Sequence, residues 1–286
     1  MTETMNITRQ KPKKKFNYKL IFIYALLLAI TAMMILPFFW MLSASVKLSR
    51  EVFEFPINWI PETPRWQNFS EIWEKIPLVT FFYNTSKLTI IVTALQLFTS
   101  SFAAYAFAKL RFPYKNVLFL GYIATIAMPW QVYMVPQFLL MREFGLNNTH
   151  LSLIFLQAFS AFGVFLMRQF YMSIPDELCE AARIDGMNEY QIWLRIMLPL
   201  SMPALSTLTI FTFVNTWNDF LGPMIYLTRT ELKTIQIGLR MFINQYTAEY
   251  GLIMAASVVS LIPVLIVFLS LQRFFVEGVA SSGIKG

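Results

Sequence analysis

Charge is scarce in this chain: 14% of its 286 residues are Asp, Glu, Lys or Arg, where a soluble domain carries about a quarter. The polar groups needed to cover a soluble surface are therefore missing, and the deficit falls in long charge-free stretches that suit a lipid-facing surface. Cysteine and histidine are scarcer still, at one each, Cys179 and His150. One of each excludes a zinc site, an internal disulfide and a Ser–His or Cys–His catalytic arrangement with a choice of base. No Gly-x-x-x-x-Gly-Lys-Ser/Thr loop occurs, so ATP is not bound by that route. No cofactor is expected and the chain is not expected to be an enzyme.

What is abundant is apolar sequence, 57% of the residues. The first run, Leu20 to Leu42, is too long for a signal-peptide core and predicts an uncleaved span kinked at Pro37. Further spans are expected at about Leu88–Ala108, Val117–Leu140 (broken by Pro129 and Pro136), Leu151–Met167, Ala204–Leu227 and Gly251–Leu271. The fold class is all-α, a polytopic membrane protein with six transmembrane helices. Residues 1–19 form a basic N-terminal segment, 20–274 a single transmembrane domain and 275–286 a tail. A polar stretch rich in Pro and Trp follows the first span and predicts an ordered segment with short helices.

Six bases precede the first run: Arg9, Lys11, Lys13, Lys14, Lys15 and Lys19. Three more fall in the connector 109–115. This bias predicts that both termini and residues 168–203 are cytoplasmic. The N-terminal cluster can touch anionic membrane lipid. Nucleic acid is excluded as a partner, since no aromatic residues interleave with the bases.

Residues 168–203 are too charged to span a membrane and too patterned for a loose loop. Ser173 and Asp176 resemble a capping box, and a helix is expected from Ile174 to Asp185. It places Leu178, Ala181, Ala182 and Asp185 on one side, with the paired alanines leaving room for a partner and Glu180 able to anchor a basic group. Gly186 suits a left-handed terminator. Asn188, with Gln191 three residues on, caps a second helix whose stripe is Trp193, Ile196, Met197 and Leu200 and whose end is Pro199.

Glu180-Ala181-Ala182, then Gly186, Ile196 and Leu198-Pro199 at these spacings resemble the signature of bacterial import permeases of the ATP-binding-cassette superfamily. The stretch Trp217-Asn218-Asp219-Phe220-Leu221-Gly222-Pro223 and the ending from Gln272 with Gly283, Lys285 and Gly286 are similar to the carbohydrate-uptake branch, and to the shorter, six-span partner of the maltose-type permease pair. The resemblance implies a coupling helix between spans four and five, carried here by Glu180, Ala181, Ala182, Asp185, Gly186, Ile196, Leu198 and Pro199 and seated in a cytoplasmic ATPase dimer. It implies a second permease subunit as heterodimer partner, an extracytoplasmic solute-binding protein, and a location in the bacterial cytoplasmic membrane. It implies that the tail, through Gln272, Gly283 and Lys285, meets the ATPase. It also implies that most sugar contacts lie on the partner permease. Met187 and Trp193 depart slightly from the pattern.

Asp219 is the only ionisable residue expected within a span, a placement that is costly and usually functional. Asn215 lies one helical turn before it on the same face. Gln96, Gln131 and Gln157 add amides in other spans. Asn215, Trp217, Asn218 and Asp219 are thus candidates for a polyol passage, because sugars are bound by amides, carboxylates and aromatic faces; span-to-span bonding is the alternative role. An ion-coupled secondary transporter is the competing reading, but such proteins keep several intramembrane charges and often inverted repeats. The segment from Thr228 to Tyr250 is too long and apolar for a simple tether. Either its apolar residues pack on the outer rim or, as the resemblance implies, it contacts the binding protein.

Overall fold

A computed structural model describes residues 18–243 and 248–283, with side chains through Phe274. Among them the only β-type pairing is an isolated bridge between Ile243 and Ala248; the rest of the regular structure is helical. Four helices are long and apolar enough to cross a membrane, and six spans result when each of two sharply bent helix pairs is one span.

The first span, α1 (Tyr18–Ser45), is apolar all round and buries only Ala44 and Ser45 within the chain. Pro37 lies inside it. A short helix, α2 (Asn68–Lys75), follows, and then α3 (Leu78–Lys109), which begins ten residues before the expected span. Those added residues carry Thr85 and Asn84, which hydropathy alone counts against a span, yet both are satisfied: the Thr85 hydroxyl donates to Phe81 O and the Asn84 amide to Glu231 O and Lys233 O.

Span three is α4 (Lys115–Ala124), a 3₁₀ turn and α5 (Trp130–Glu143), with a bend of 100° between the two helices. The break is at Pro129, which forces Met128 into extended backbone (ψ 113°). Pro136, expected to break the span too, sits inside α5 without interrupting it. Span four is likewise divided, into α6 (His150–Gln157) and α7 (Ala161–Ser173), with Ser160 Oγ accepting the Gly163 N–H at 3.0 Å as cap.

After α7 come α8 (Glu177–Ile184) and α9 (Glu189–Leu200), the latter loosened to a π-helix over Trp193–Met197. Then α10 (Met202–Trp217) runs off at 80° to α9, and α11 (Leu221–Tyr226) follows a break at residues 218–220. The segment after α11 folds into α12 (Ile235–Met241), and α13 (Tyr250–Gly283) is the last helix of the described residues. Helix α3 is central, packed on α7 and α10, while α13 packs on α1 and α10. One buried cluster fastens α8 and α9 to the ends of α3 and α7; two others gather at the opposite end, around Trp217 and around Tyr226.

Candidate functional site

Two sites emerge, one on the helical hairpin α8–α9 and one in a polar cavity beside the broken spans. On the hairpin, the first helix is shorter than the expected Ile174–Asp185. Ile174 and Pro175 stay outside it, and the Ser173–Asp176 capping box does not form. Ser173 Oγ instead donates back to Phe170 O at 2.7 Å, and Asp176 is engaged by the Lys109 ammonium. That ammonium, reaching from the end of α3, holds the Asp176 carboxyl below the usual carboxylate range. The turn is as expected: Gly186 has φ +81°. The Asn188–Gln191 capping box is complete, with Asn188 Oδ1 accepting from Gln191 N at 2.9 Å and Gln191 Oε1 accepting from Asn188 N at 3.0 Å.

The faces differ from the expected ones. Cys179 and Ala182 turn inward and are buried with Ile192, Trp193 and Met197. Ala182 therefore packs on this chain's own core, and the pair of alanines does not face outward together. Leu178, Glu180, Ala181, Ile184, Asp185 and Gly186 are exposed, Ile184 at 86%. On α9, Ile196 and Leu198 are half-buried while Pro199 and Leu200 are exposed; α9 continues one residue past Pro199. The π-turn moves Leu200 off the stripe that a regular 3.6-residue period assigns to it.

A feature with no motif to mark it holds the hairpin together. Arg183 Nε donates to Glu189 Oε1 at 2.7 Å and its second nitrogen to Oε2 at 3.3 Å. The Tyr105 hydroxyl, from α3, donates to the same Oε2 at 2.5 Å. Glu189 thus ties the exposed helix to a membrane helix, and the Arg183 guanidinium is held more firmly protonated by it.

The cavity has a volume of about 610 Å³ and is walled by Gln96, Gln157, Ser160, Thr212, Asn215, Thr216 and Asp219, with Phe162 and Phe211. Its residues come from α3, from the α6–α7 break, and from α10 with the break that follows. Each break frees backbone groups that cannot be left bare away from water. Helix α3 supplies the partners: Gln96 Nε2 donates to Gln157 O at 2.7 Å and Thr99 Oγ1 to Ala158 O at 2.8 Å. Asp219 Oδ1 accepts the Gly222 N–H at 3.0 Å at the start of α11, and its Oδ2 accepts from Gln157 Nε2 at 2.9 Å. Thr212 donates to Gln96 Oε1 at 2.9 Å and Thr216 to Gln157 Oε1 at 3.2 Å. The breaks of spans four and five are so joined into one polar belt.

Asn215 and Asp219 share this wall as their spacing predicts. Trp217 does not: it is 1% exposed, its Nε1 donates to Ser260 O at 3.0 Å, and its ring packs between Phe82 and Phe213. One step along a helix turns a side chain by 100°, enough to move Trp217 from the wall to the core. Asn218 faces outward, donating to Val214 O at 3.0 Å and accepting from Gln236 at 3.0 Å. Thr212 and Thr216 went unremarked in the sequence, though with Asn215 and Asp219 they form a run at i, i+3, i+4 and i+7 that marks one face. A second cavity, of about 210 Å³, meets the first at Gln157 and Asp219 and is walled by Trp130, Tyr133, Gln137 and Tyr226.

In the segment after α11, Ile235, Ile237 and Gly238 are buried, so part of its apolar content packs on the chain itself, while Ile243 is exposed; residues 244–247 lie outside the described ones. Helix α13 runs through residue 275 without a break to Gly283, with Gln272 exposed, and Lys285 lies outside the described residues.

The family model of the binding-protein-dependent transport system inner membrane component matches residues 96–281. The chain is 34% identical over 255 residues to the arabinooligosaccharides transport system permease protein AraQ of Halalkalibacterium halodurans, covering 88% of this chain and 91% of that one. It is 31% identical over 270 residues to the sn-glycerol-3-phosphate transport system permease protein UgpE of Yersinia enterocolitica, covering 92% and 96%. In shape it is similar to a chain of a bacterial ABC transporter involved in the import of the acidic polysaccharide alginate, with TM-score 0.80, 26% identity and coverage of 93% and 100%.

Proposed function

The chain belongs to the family of binding-protein-dependent transport system inner membrane components, the permease subunits of ATP-binding-cassette importers, and on that premise we propose that it carries a saccharide across the bacterial cytoplasmic membrane as one half of a permease pair. It is a transport subunit, and ATP hydrolysis belongs to a separate ATPase. A solute-binding protein delivers the cargo.

The observation that carries this reading is the α8–α9 hairpin. A surface of Leu178, Glu180, Ala181, Ile184 and Asp185 is left exposed, while its reverse side is locked to α3 and α7 by a buried cluster. A rigid helix with one free face is what an ATPase cleft can push on, and the Glu189–Tyr105 bond passes the push to a membrane helix. Gly186, Ile196, Leu198 and Pro199 shape the hairpin. Asn215 and Asp219, with Gln96 and Gln157, line this chain's share of the path. Both termini and residues 168–203 face the cytoplasm, the basic N-terminus being the support. The end of α13, with Gln272 and Gly283, meets the ATPase. The second subunit covers the cavity's open side and much of α1, whose side chains are almost all exposed within the chain.

The test is reconstitution in proteoliposomes with a partner permease, an ATPase and a binding protein, identified by co-purification with this chain from its native membrane. ATP-dependent uptake of a saccharide that requires this chain is expected. Uptake that needs an ion gradient and no ATPase would overturn the assignment.

A further inference from the structure

A third, small cavity of about 10 Å³, walled by Thr85, Leu88, Val92 and Thr234, meets the other two at Gln157 and Asp219; the three differ in shape, but they share one property. Their walls contain a single charged residue, Asp219, and no Lys, Arg or His among the described residues. The larger one offers hydroxyls and amides, groups that both donate and accept, as saccharide hydroxyls do. Its neighbour adds the rings of Trp130 and Tyr133, apolar faces suited to the C–H face of a pyranose or furanose.

An anionic sugar meets a different balance in the same space. A carboxylate or phosphate entering it sheds part of its water shell, and no cation on this wall replaces that shell. It would also approach the Asp219 carboxylate, whose partners are already the Gln157 amide and the Gly222 N–H. The bases are elsewhere: Lys109, Lys115, Arg168, Arg183 and Arg195 lie at the α8–α9 end of the helices, and Lys47, Lys75, Lys87, Arg229, Lys233 and Arg240 lie toward the opposite end, none of them on these walls.

We infer that the wall this chain contributes to the path admits uncharged saccharides and rejects sugar acids and sugar phosphates, with Asp219 as the residue that sets the charge preference. The inference rests on the transport reading above and deepens it by naming the cargo's charge class. A neutral sugar pays no such penalty, since each hydroxyl exchanges water for a wall group of the same kind. Coulomb repulsion from one carboxylate within about 10 Å, at the effective dielectric of a protein, amounts to on the order of tenfold in affinity.

The experiment reads direct binding, so that the binding protein's own selectivity does not enter. The assembled importer in nanodiscs, without binding protein, is examined by saturation-transfer NMR against maltotriose, cellotriose and arabinotriose, and against trigalacturonate. At least one neutral trisaccharide should give a transfer signal at a concentration about ten times lower than trigalacturonate requires. The Asp219→Asn variant should narrow that gap. Asn215→Lys, which places a cation on the same wall from an exposed position, should bring trigalacturonate in even where Asp219→Asn fails to assemble. Equal binding of trigalacturonate by the unaltered protein would overturn the inference while leaving saccharide transport standing. Silence with every sugar would overturn it as well, by showing that this wall holds no cargo. Failure of ATP-driven uptake of any saccharide is the separate result that would bring down the transport reading.

Discussion

Asp219 shows how one side chain serves a broken span. Its carboxylate caps α11 through the Gly222 N–H and reaches across to Gln157, so it is structural support and cavity wall together. Gly222 is what lets it come so near: a Cβ there would lie 2.5 Å from Asp219 Oδ2. Gly222→Ala should push the carboxylate aside and cost about 1–3 kcal/mol through the lost hydrogen bonds. The expected outcome is an assembled complex with a lowered unfolding midpoint and strongly reduced uptake; unchanged uptake would show that the carboxylate's position does not matter. At the hairpin, Asp176 makes a prediction in pH. Its folded pKa is depressed by Lys109, so the tie contributes above the ordinary carboxylate value and is lost only as pH falls through the depressed one. Because the Asp176 side chain is 75% exposed, solvent screening limits the contribution to about 1 kcal/mol or less. Carbon-13 detection of the Asp176 carboxyl should show no titration near its ordinary value, and Lys109→Gln should restore a titration there.

At the scale of elements, the hairpin α8–α9 is a short helix, a glycine turn and a capped helix, and each piece is set by local sequence. A Cβ at Gly186 would meet nothing within 4 Å, so a substitution there is strained by φ +81° alone and not by a clash. Gly186→Val should therefore cost roughly 1 kcal/mol or more, confined to the turn. Membrane insertion should persist while retention of the ATPase on an affinity column falls; full retention with normal uptake would remove the hairpin from coupling. The segment 228–243 behaves differently from a free loop. Its α12 presses Gly238 onto Phe81, and Ile235 is fully buried. Any test of contact with a binding protein must spare residues 235–238 and alter only those beyond them.

For the whole molecule, two orientations of the same bundle are possible, and charge bias predicts the one with both termini in the cytoplasm. Arg65→Cys and Arg240→Cys should react with an impermeant maleimide in intact cells, while Lys285→Cys should react only after permeabilisation. Reaction of residue 285 from outside would invert the topology and with it the side on which α8 lies. The far end of α13 supplies a further check. Deleting 278–286 should leave assembly intact and lower the ATPase stimulation produced by loaded binding protein. Unchanged stimulation would make that end a passive extension.

Much of this was legible in the residues themselves. Charge-free runs marked the order of the apolar helices and bent helix pairs, since burying an unpaired charge in lipid is costly. The Asn188–Gln191 box and the left-handed Gly186 were readable because each is a contact or a backbone state within a few residues. The pairing of Asn215 with Asp219 on one wall followed from helical period alone. Longer-range choices were not legible. Whether Ala182 or Ala181 faced outward, and that Trp217 belonged to the core while its neighbours lined a cavity, depended on where α3, α7 and α13 pack. The Ser173–Asp176 box lost to Lys109, a partner 67 residues away in sequence. The early start of α3 depended on the carbonyls of Glu231 and Lys233, which accept from its Asn84, and the breaks at Ala158–Ser160 and Asn218–Phe220 depended on side chains from other spans that satisfy the exposed polar groups. Periodicity records how a helix is patterned, but a membrane helix is apolar on every side, so only its neighbours decide which face is inside.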